Sequence, residues 1–399
     1  MRVVCLETNN PGHIHLMDDA YSLRDYGQMI ADADRFGAYA KAIARAVRPN
    51  DTLLEIGCGP GVFALLACRA GARRVYAIET EDVVQFARQL AAANGLTDRI
   101  QFIQNDSRRT NLPERVNVIV SDIRGAIPLC GHSVSAIEDA RRRFLSPGGL
   151  LIPERDILKV ALIEAPDYYW RLRSPWETTV VGLDLRPSVP LVLNWSYGSR
   201  FKPEQLLSNP QTWCELNYAS DAQSRTAADL NLRALRNGVA HGLCIWFETQ
   251  LFREIGYSAG PETSSSVHGQ IFLPLLEEVP MSEGQLMQIK LQADLVASDY
   301  VWRWETHVGS RDDLPALHFR QSTFFGSCFS PLSLQRHAVD FVPARNEPGE
   351  ANLWLLQAMD GKNSLQEIAQ LAAQRFPAIF PRWEDALHRA AELAGQFSR

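Results

Sequence analysis

The chain has 399 residues, of which 46% are hydrophobic and 22% charged, and a formal net charge of −6. That length accommodates two or three domains of roughly 100–200 residues each, and the composition is that of a soluble globular protein with a core of normal size. The acidic balance argues against a general nucleic-acid binder, which carries a basic excess, and no window reaches the ~18 uninterrupted apolar residues of a membrane span. Seven cysteines stand at positions 5, 58, 68, 130, 214, 244 and 328 with no C-x-x-C pair among them. Neither a zinc knuckle nor a disulfide framework is indicated, and a reducing, cytoplasmic setting is expected. The N-terminal MRVVCLETNN lacks the apolar stretch of a secretory signal.

From Tyr21 to about Val47, Met29, Ile30, Phe36, Tyr39, Ala42 and Ile43 recur at three- and four-residue steps, which predicts a helix ended by Pro49-Asn50-Asp51. TLLEIG then reads as a short buried strand and VFALLACRAG as a helix stopped at Gly71. RVYAIE (74–79) is a second strand, EDVVQFARQLAAANG (81–95) a helix, IQFIQND (100–106) a third strand and VNVIVSD (116–122) a fourth. A helix around Ser135–Phe144, an SPGG turn and the strand LLIP follow. Strand and helix alternate, which predicts an α/β fold, a Rossmann-like doubly wound parallel sheet over 1–153. Past Pro153 strands shorten and turns multiply, and a mainly β domain is expected over 154–335. There GQIFLPLLEEVPMSEGQLMQIKLQADL reads as two strands across a turn. DFVPARNEPGE (340–350) reads as a linker, and 351–399 as a small helical third unit.

Gly57, Gly59 and Gly61 lie between the first strand and its helix, so backbone N–H groups face a ligand with no side chains in the way. The spacing is G-x-G-x-G, shorter than the G-x-G-x-x-G of nicotinamide binders. With Glu55 on the strand before it, the loop resembles that of class I S-adenosylmethionine-dependent methyltransferases. The resemblance implies S-adenosyl-L-methionine as cofactor, bound by Glu55, Gly57, Cys58, Gly59, Gly61, Glu79, Thr80, Asp106 and Ser107. Glu79 would accept both ribose hydroxyls, and Asp106, assisted by Ser107, the adenine amino group. Cys58 is read as loop filler, not as a nucleophile.

MIADADRFGAYAKAI (29–43), VYAIE, SPGGLLIP, WETTVVGLDL (176–185) and HGLCIWFETQL (241–251) resemble stretches of the protein arginine methyltransferases over about 20–310. The resemblance implies that Arg35 pairs with the cofactor's carboxylate and that Met29 lies near its sulfur. Tyr21 and Tyr26 are the nearest candidates for the aromatic pair that covers the cofactor. A β-barrel is implied, with a helical arm near 186–220 carrying Leu191, Trp195, Leu206, Leu207 and Trp213, and a head-to-tail homodimer. The sequence departs from the family at the substrate loop, where two glutamates ten residues apart clamp the guanidinium. In SDIRGAIPLCGH the two positions are Asp122 and His132, with the cation Arg124 between them, and a cation there would repel a guanidinium. The family's Thr-His-Trp is Val267-His268-Gly269.

Asp122, His132 and His268 are the catalytic candidates, each able to orient or deprotonate an acceptor. The alternative reading leaves His268 as the cap of a β-turn and His132 as an exposed residue. The loop predicts weak activity on arginine-rich proteins and favours methyl transfer to an amine or hydroxyl of a peptide or specialised metabolite. Two further functions stand beside it: a protein or free-arginine N-methyltransferase, and a cofactor-binding protein without catalysis. No metal, nucleic acid or membrane partner is expected. In LWLLQAMDGKNSLQEIAQLAAQRF (353–376), the Asp360-Gly361 turn and the Ser364/Glu367 capping box resemble the winged-helix, PqqD-like peptide binders of pyrroloquinoline quinone biosynthesis. That resemblance implies an exposed strand edge for a peptide.

Overall fold

The computed structural model describes residues 21–177, 179–220, 225–263, 266–297, 299–309 and 316–398. The N-terminal stretch read for a signal lies outside them. The expected single helix over Tyr21–Val47 is two, α1 (Leu23–Ala31) and α2 (Ala33–Ala46). Asp32 separates them because its backbone is extended (φ −67°, ψ 94°) and its Oδ1 accepts the Arg35 N–H at 3.1 Å. Asp is favoured at such an N-cap because its carboxylate satisfies an otherwise orphaned donor.

The alternating segment forms β1 (Thr52–Ile56), α3 (Val62–Ala70), β2 (Arg74–Glu79), α4 (Val83–Ala93), β3 (Ile100–Gln104), β4 (Val116–Ser121), α5 (Ser133–Phe144) and β5 (Leu145–Ile152). Its five strands are parallel in the order β3-β2-β1-β4-β5. Leu53, Leu54, Val75, Ala77, Val118 and Val120 are fully buried, because helices cover both faces of the sheet. The chain leaves β1 for β2 on one side and later lays β4 on the other. The carboxyl ends of β1 and β4 therefore flank the point where strand order reverses, which is where such sheets open a ligand crevice.

Next come β6 (Arg155–Ile163), α6 (Pro166–Glu177), the hairpin β7 (Thr179–Val180) and β8 (Leu183–Asp184), α7 (Val189–Leu193), β9 (Tyr197–Ser199), β10 (Gln211–Asn217) and β11 (Arg225–Arg233). They are followed by β12 (Gly238–Phe252), β13 (Ile255–Ser258), β14 (Gln270–Met281), β15 (Leu286–Val296), β16 (Asp299–Val308) and β17 (Leu317–Ser322). They make two antiparallel sheets, β10-β6-β12-β14-β9 with β13 on β12, and β11-β15-β16-β17. The two strands expected across the Ser282–Gln285 turn are present as β14 and β15, but each pairs into a different sheet.

Part of the arm expected over 186–220 lies in the sheet, while Leu191 within it is exposed. Leu207 and Trp213 are buried, and β10 is a full member of the six-stranded sheet, with Trp213 packed on Trp302 at 5.2 Å between ring centroids. Within β10 the polar residues are the outward half of the strand's alternation.

The chain divides into two compact units, one through Ser327 and one from Cys328. The second holds α8 (Pro331–Arg336), which buries no residue, and α9 (Glu347–Ala358), α10 (Leu365–Arg375) and α11 (Trp383–Phe397), packed on Ala351, Leu355, Ile368, Ala372 and Ala390. The Ser364/Glu367 capping box forms as expected, and the stretch read as a linker already enters α9 at Glu347. No strand occurs among the described residues of this unit, so the winged-helix strand edge expected for a peptide is not there.

Candidate functional site

Gly57, Gly59 and Gly61 all adopt positive φ, at +67°, +50° and +74°, which side chains resist. A Cβ on Gly57 would lie 2.4 Å from Ile123 Cγ2, and one on Gly59 2.6 Å from Tyr26 Cε1. The loop is thus overlaid by the first residues after β4 and by α1. Tyr26 is one of the two expected covering aromatics, and Tyr21 meets it edge-on at 5.8 Å. Burial pushes the Tyr26 hydroxyl far above its ordinary value, with Glu79 adding to the shift.

Glu79 ends β2 buried beside the loop. Its Oε2 accepts the Gly59 N–H at 2.7 Å, and its Oε1 accepts the Thr80 and Glu81 N–H groups at 2.8 and 3.1 Å. Three backbone N–H groups and the Thr80 hydroxyl, 3.3 Å from Oε1, fix this carboxylate, and Oε2 keeps a lone pair for a hydroxyl donor. Glu55 is 2% exposed, and its Oε2 has no hydrogen-bond partner among the described residues. Burial pushes its carboxyl up to about 8, although a hydrogen bond from the Ala64 N–H opposes the shift. Burial likewise drives the Cys58 thiol far above its ordinary value, which removes it as a nucleophile at neutral pH. Asp106 follows β3 and is held by Arg108, whose Nη2 donates to Oδ2 at 2.6 Å; hydrogen bonds from Arg108 lower its carboxyl. Ser107 beside it is buried.

Asp122 follows β4 and is clasped by two guanidinium groups. Arg35 reaches Oδ2 through Nε at 2.6 Å and Nη2 at 2.5 Å, while its Nη1 donates to the Met29 carbonyl at 2.8 Å. Arg124 takes Oδ1 through Nη2 at 2.9 Å. Burial alone would raise the Asp122 carboxyl; the charges of Arg35 and Arg124 outweigh it and hold the group well below the usual carboxylate range. The partner that the resemblance assigned to Arg35 was a cofactor carboxylate. Here that guanidinium meets Asp122.

Arg124, read from sequence as a cation inside the substrate loop, is 1% exposed and turns inward. Its Nη1 donates to Asp156 Oδ1 and Thr249 Oγ1, both at 2.8 Å, and its Nη2 donates to the Tyr39 and Tyr257 hydroxyls at 2.5 and 2.9 Å. Asp156 also accepts from the Tyr218 hydroxyl at 2.6 Å. Two guanidinium groups and two carboxylates therefore balance to zero charge, with the remaining oxygens supplied by hydroxyls, which is what burial of ions demands.

His268 joins this network. A carbonyl can only accept, so Nδ1 carries the proton to Gly125 O at 2.6 Å, and Nε2 accepts from the Tyr257 hydroxyl at 3.0 Å. Burial lowers the imidazole below its ordinary value; Arg124 and Arg35 add to that and Asp122 opposes it. His132 stands at the start of α5, where its backbone carbonyl accepts from Ser135 Oγ and Ala136 N–H. No hydrogen bond described for this region ties its ring to Asp122. The structure thus gathers Arg35, Asp122 and His268 around Arg124 and leaves His132 apart from that hydrogen-bonded group. Sequence reasoning missed Asp156, Tyr39, Tyr257 and Asp32, whose Oδ2 accepts the Val267 N–H at 3.0 Å. Asp32 lies inside the quoted MIADADRF stretch, so a signal for it existed; Asp156 and Tyr257 sit in ordinary strands and carry none.

Residues 53–149 match a methyltransferase domain, and residues 154–307 match the arginine methyltransferase oligomerization subdomain. The chain is 27% identical over 232 residues to the probable protein arginine N-methyltransferase 6 of Arabidopsis thaliana, covering 56% of this chain. It spans about half of that protein's length, 53%. It is also 27% identical over 270 residues to the arginine N(omega)-methyltransferase of Streptomyces achromogenes subsp. streptozoticus, 66% of this chain and 74% of that protein. In fold it is similar to the Trypanosoma brucei PRMT1 enzyme–prozyme heterotetrameric complex with AdoHcy, with a TM-score of 0.67 at 21% identity over 74% of this chain and 96% of that one. These matches support the arginine methyltransferase family, and the matched domain is that of an enzyme using S-adenosylmethionine. Both of these relatives are named for methylation of arginine.

Proposed function

We propose that this chain is an arginine-type N-methyltransferase that methylates a guanidine nitrogen, in free arginine or in a peptide. The observation that carries this reading is the convergence of the glycine loop, Glu79 and Asp122 at neighbouring strand ends, with Asp122 kept ionised by Arg35 and Arg124. The donor set fits S-adenosylmethionine: three glycines at positive φ, two of them with no room for a Cβ, a buried carboxylate with a lone pair left on Oε2, and a capping carboxylate at Asp106. When bound, that cofactor supplies a methyl carbon on a sulfonium, already bearing a good leaving group.

The protein's part is then to position the nucleophile, which can contribute several kcal/mol. Gly57, Gly59 and Gly61 present backbone, Glu79 orients a hydroxyl, Tyr26 excludes water from the loop, and Asp122 orients an acceptor N–H through Oδ2 once Arg35 turns from it to the cofactor's carboxylate. Asp122 is too weak a base to remove a proton, because two guanidinium groups stabilise its charge. A neutral His268 has Nε2 occupied by Tyr257 and acts through that hydroxyl. The cytoplasm is the proposed compartment.

A second reading has its own observation. Both oxygens of Asp122 are taken by arginines, and the second clamp position is His132, which brings no carboxylate. That arrangement favours an amine or hydroxyl acceptor. The full chain is tested with methyl-labelled S-adenosylmethionine and, in parallel, L-arginine, an arginine-rich peptide, a lysine-rich peptide and a serine-rich peptide, read by mass spectrometry. Methylarginine is the expected product. Label only on lysine or serine selects the second reading, and no label despite calorimetric binding of S-adenosylhomocysteine leaves a cofactor-binding protein without catalysis.

A further inference from the structure

Far along the chain from the glycine loop, β16 and β17 pair so that His307 faces His318 and Glu305 faces Arg320. Residues two apart on a strand share a face, so these four side chains form one patch, and Trp304 and Thr306 between them point into the core. The two imidazoles stack at 3.9 Å between centroids and 16° between planes. Their Nε2 atoms converge on one oxygen, Glu305 Oε1, at 3.2 Å from His307 and 2.8 Å from His318. The three donor atoms all lie within 4.8 Å of one another.

We infer that Glu305, His307 and His318 form a binding site for a divalent transition cation of the zinc, nickel or cobalt kind. Zn–N bonds of about 2.0–2.1 Å in a tetrahedral site set the ligand atoms roughly 3.4 Å apart, so small side-chain shifts convert the present triangle into a coordination triangle. Two imidazoles and one carboxylate suit zinc, nickel, cobalt or copper, whereas magnesium and calcium prefer oxygen-only shells. A glutamate carboxylate is ionised at neutral pH, so this ligand needs no deprotonation to bind a cation. Arg320 Nε, 3.2 Å from the same oxygen, is the competing cation, and Lys290 faces Glu305 from β15. Three protein ligands leave a position open to solvent. β17 ends its sheet, so an ion here clips an edge strand to its neighbour.

The test is calorimetry and thermal melting of the full chain with zinc or nickel chloride alone and magnesium chloride as control. One equivalent of zinc or nickel should bind and raise the melting temperature by several degrees, since a ligand selective for the folded state stabilises it. His307→Ala and His318→Ala should each weaken binding at least tenfold, and Arg320→Gln should tighten it by removing the competing charge. S-adenosylhomocysteine binding should be the same in all three variants. Zinc binding that survives both histidine substitutions, or no binding by the wild-type chain, overturns the assignment.

Discussion

Single residues carry the ligand-facing chemistry, and two of them can be weighed now. Glu79 is held by three backbone N–H groups and fixes the glycine loop while facing the crevice. Glu79→Ala should weaken S-adenosylhomocysteine binding by about 1–3 kcal/mol, the cost of leaving buried polar groups unpaired, as measured by calorimetry. Glu55 is ionised only at a cost, since burial raises its carboxyl to about 8. A raised folded-state value means that its contribution to stability is complete below its unfolded value near 4.3 and is lost as pH rises through about 8. The loss runs at up to about 1.4 kcal/mol per pH unit inside that window. Glu55→Gln, which cannot ionise, should therefore gain on the wild-type protein as pH rises from about 5 to 8, in denaturant titrations at fixed temperature. Equal pH dependence for the two proteins would show that Glu55 ionises freely. The acidic strand ends were readable from sequence because each closes a β-strand before a turn. The pairing of Asp122 with Arg35 and Arg124 was not, since residues 35, 122 and 124 meet only after the sheet is assembled.

At the scale of elements, the sequence pattern was most informative where strands are buried on both faces. TLLEI, RVYAIE and VNVIVS are nearly continuous apolar runs, and each is a strand of the parallel sheet. Legibility fell where a polar side chain redirects the backbone. Asp32 sits in the middle of a helical period, yet its carboxylate ends one helix and caps the next, which periodicity alone does not reveal. It fell again at β10, whose alternating burial resembles a polar loop in a linear reading. The loop–helix contact between Gly59 and Tyr26 yields a prediction at this scale. A methyl group at Gly59 meets Tyr26 Cε1 at 2.6 Å and must also sit at φ +50°. Gly59→Ala should thus displace α1 from the loop and cost on the order of 1–3 kcal/mol in strain. Limited proteolysis should cut near Tyr26 faster than in the wild-type chain. An unchanged cleavage pattern with unchanged cofactor-product binding would mean that α1 does not depend on the loop.

For the whole molecule, the question is what covers the apolar surface of the first unit. Residues 154–307 match an oligomerization subdomain, but the stretch first read as its arm turns out to hold a sheet strand with Leu207 and Trp213 in the core. One group of exposed apolar residues lies around its start. In the β7–β8 hairpin, Val181 is 95% and Leu183 64% exposed, with Trp176 and Leu191 near them in sequence. Val181 and Gly182 both take positive φ, +51° and +80°, the mark of a tight two-residue hairpin turn. Asn or Asp is the usual first residue of such a turn, and a β-branched side chain there costs on the order of 1–2 kcal/mol. A strained and fully exposed valine is unfavourable in an isolated subunit, and a partner surface that buries it offsets both costs. The chain is therefore expected to form a homodimer at micromolar concentration, with this hairpin in the interface. The second unit has a core of its own, so removing 328–399 should leave both dimerisation and cofactor-product binding intact. Replacing Val181 and Leu183 together by Asp should shift the mass in light scattering towards that of one 44.7 kDa chain. A wild-type protein already at that mass would refute the dimer, and a double variant that stays dimeric would exclude the hairpin from the interface.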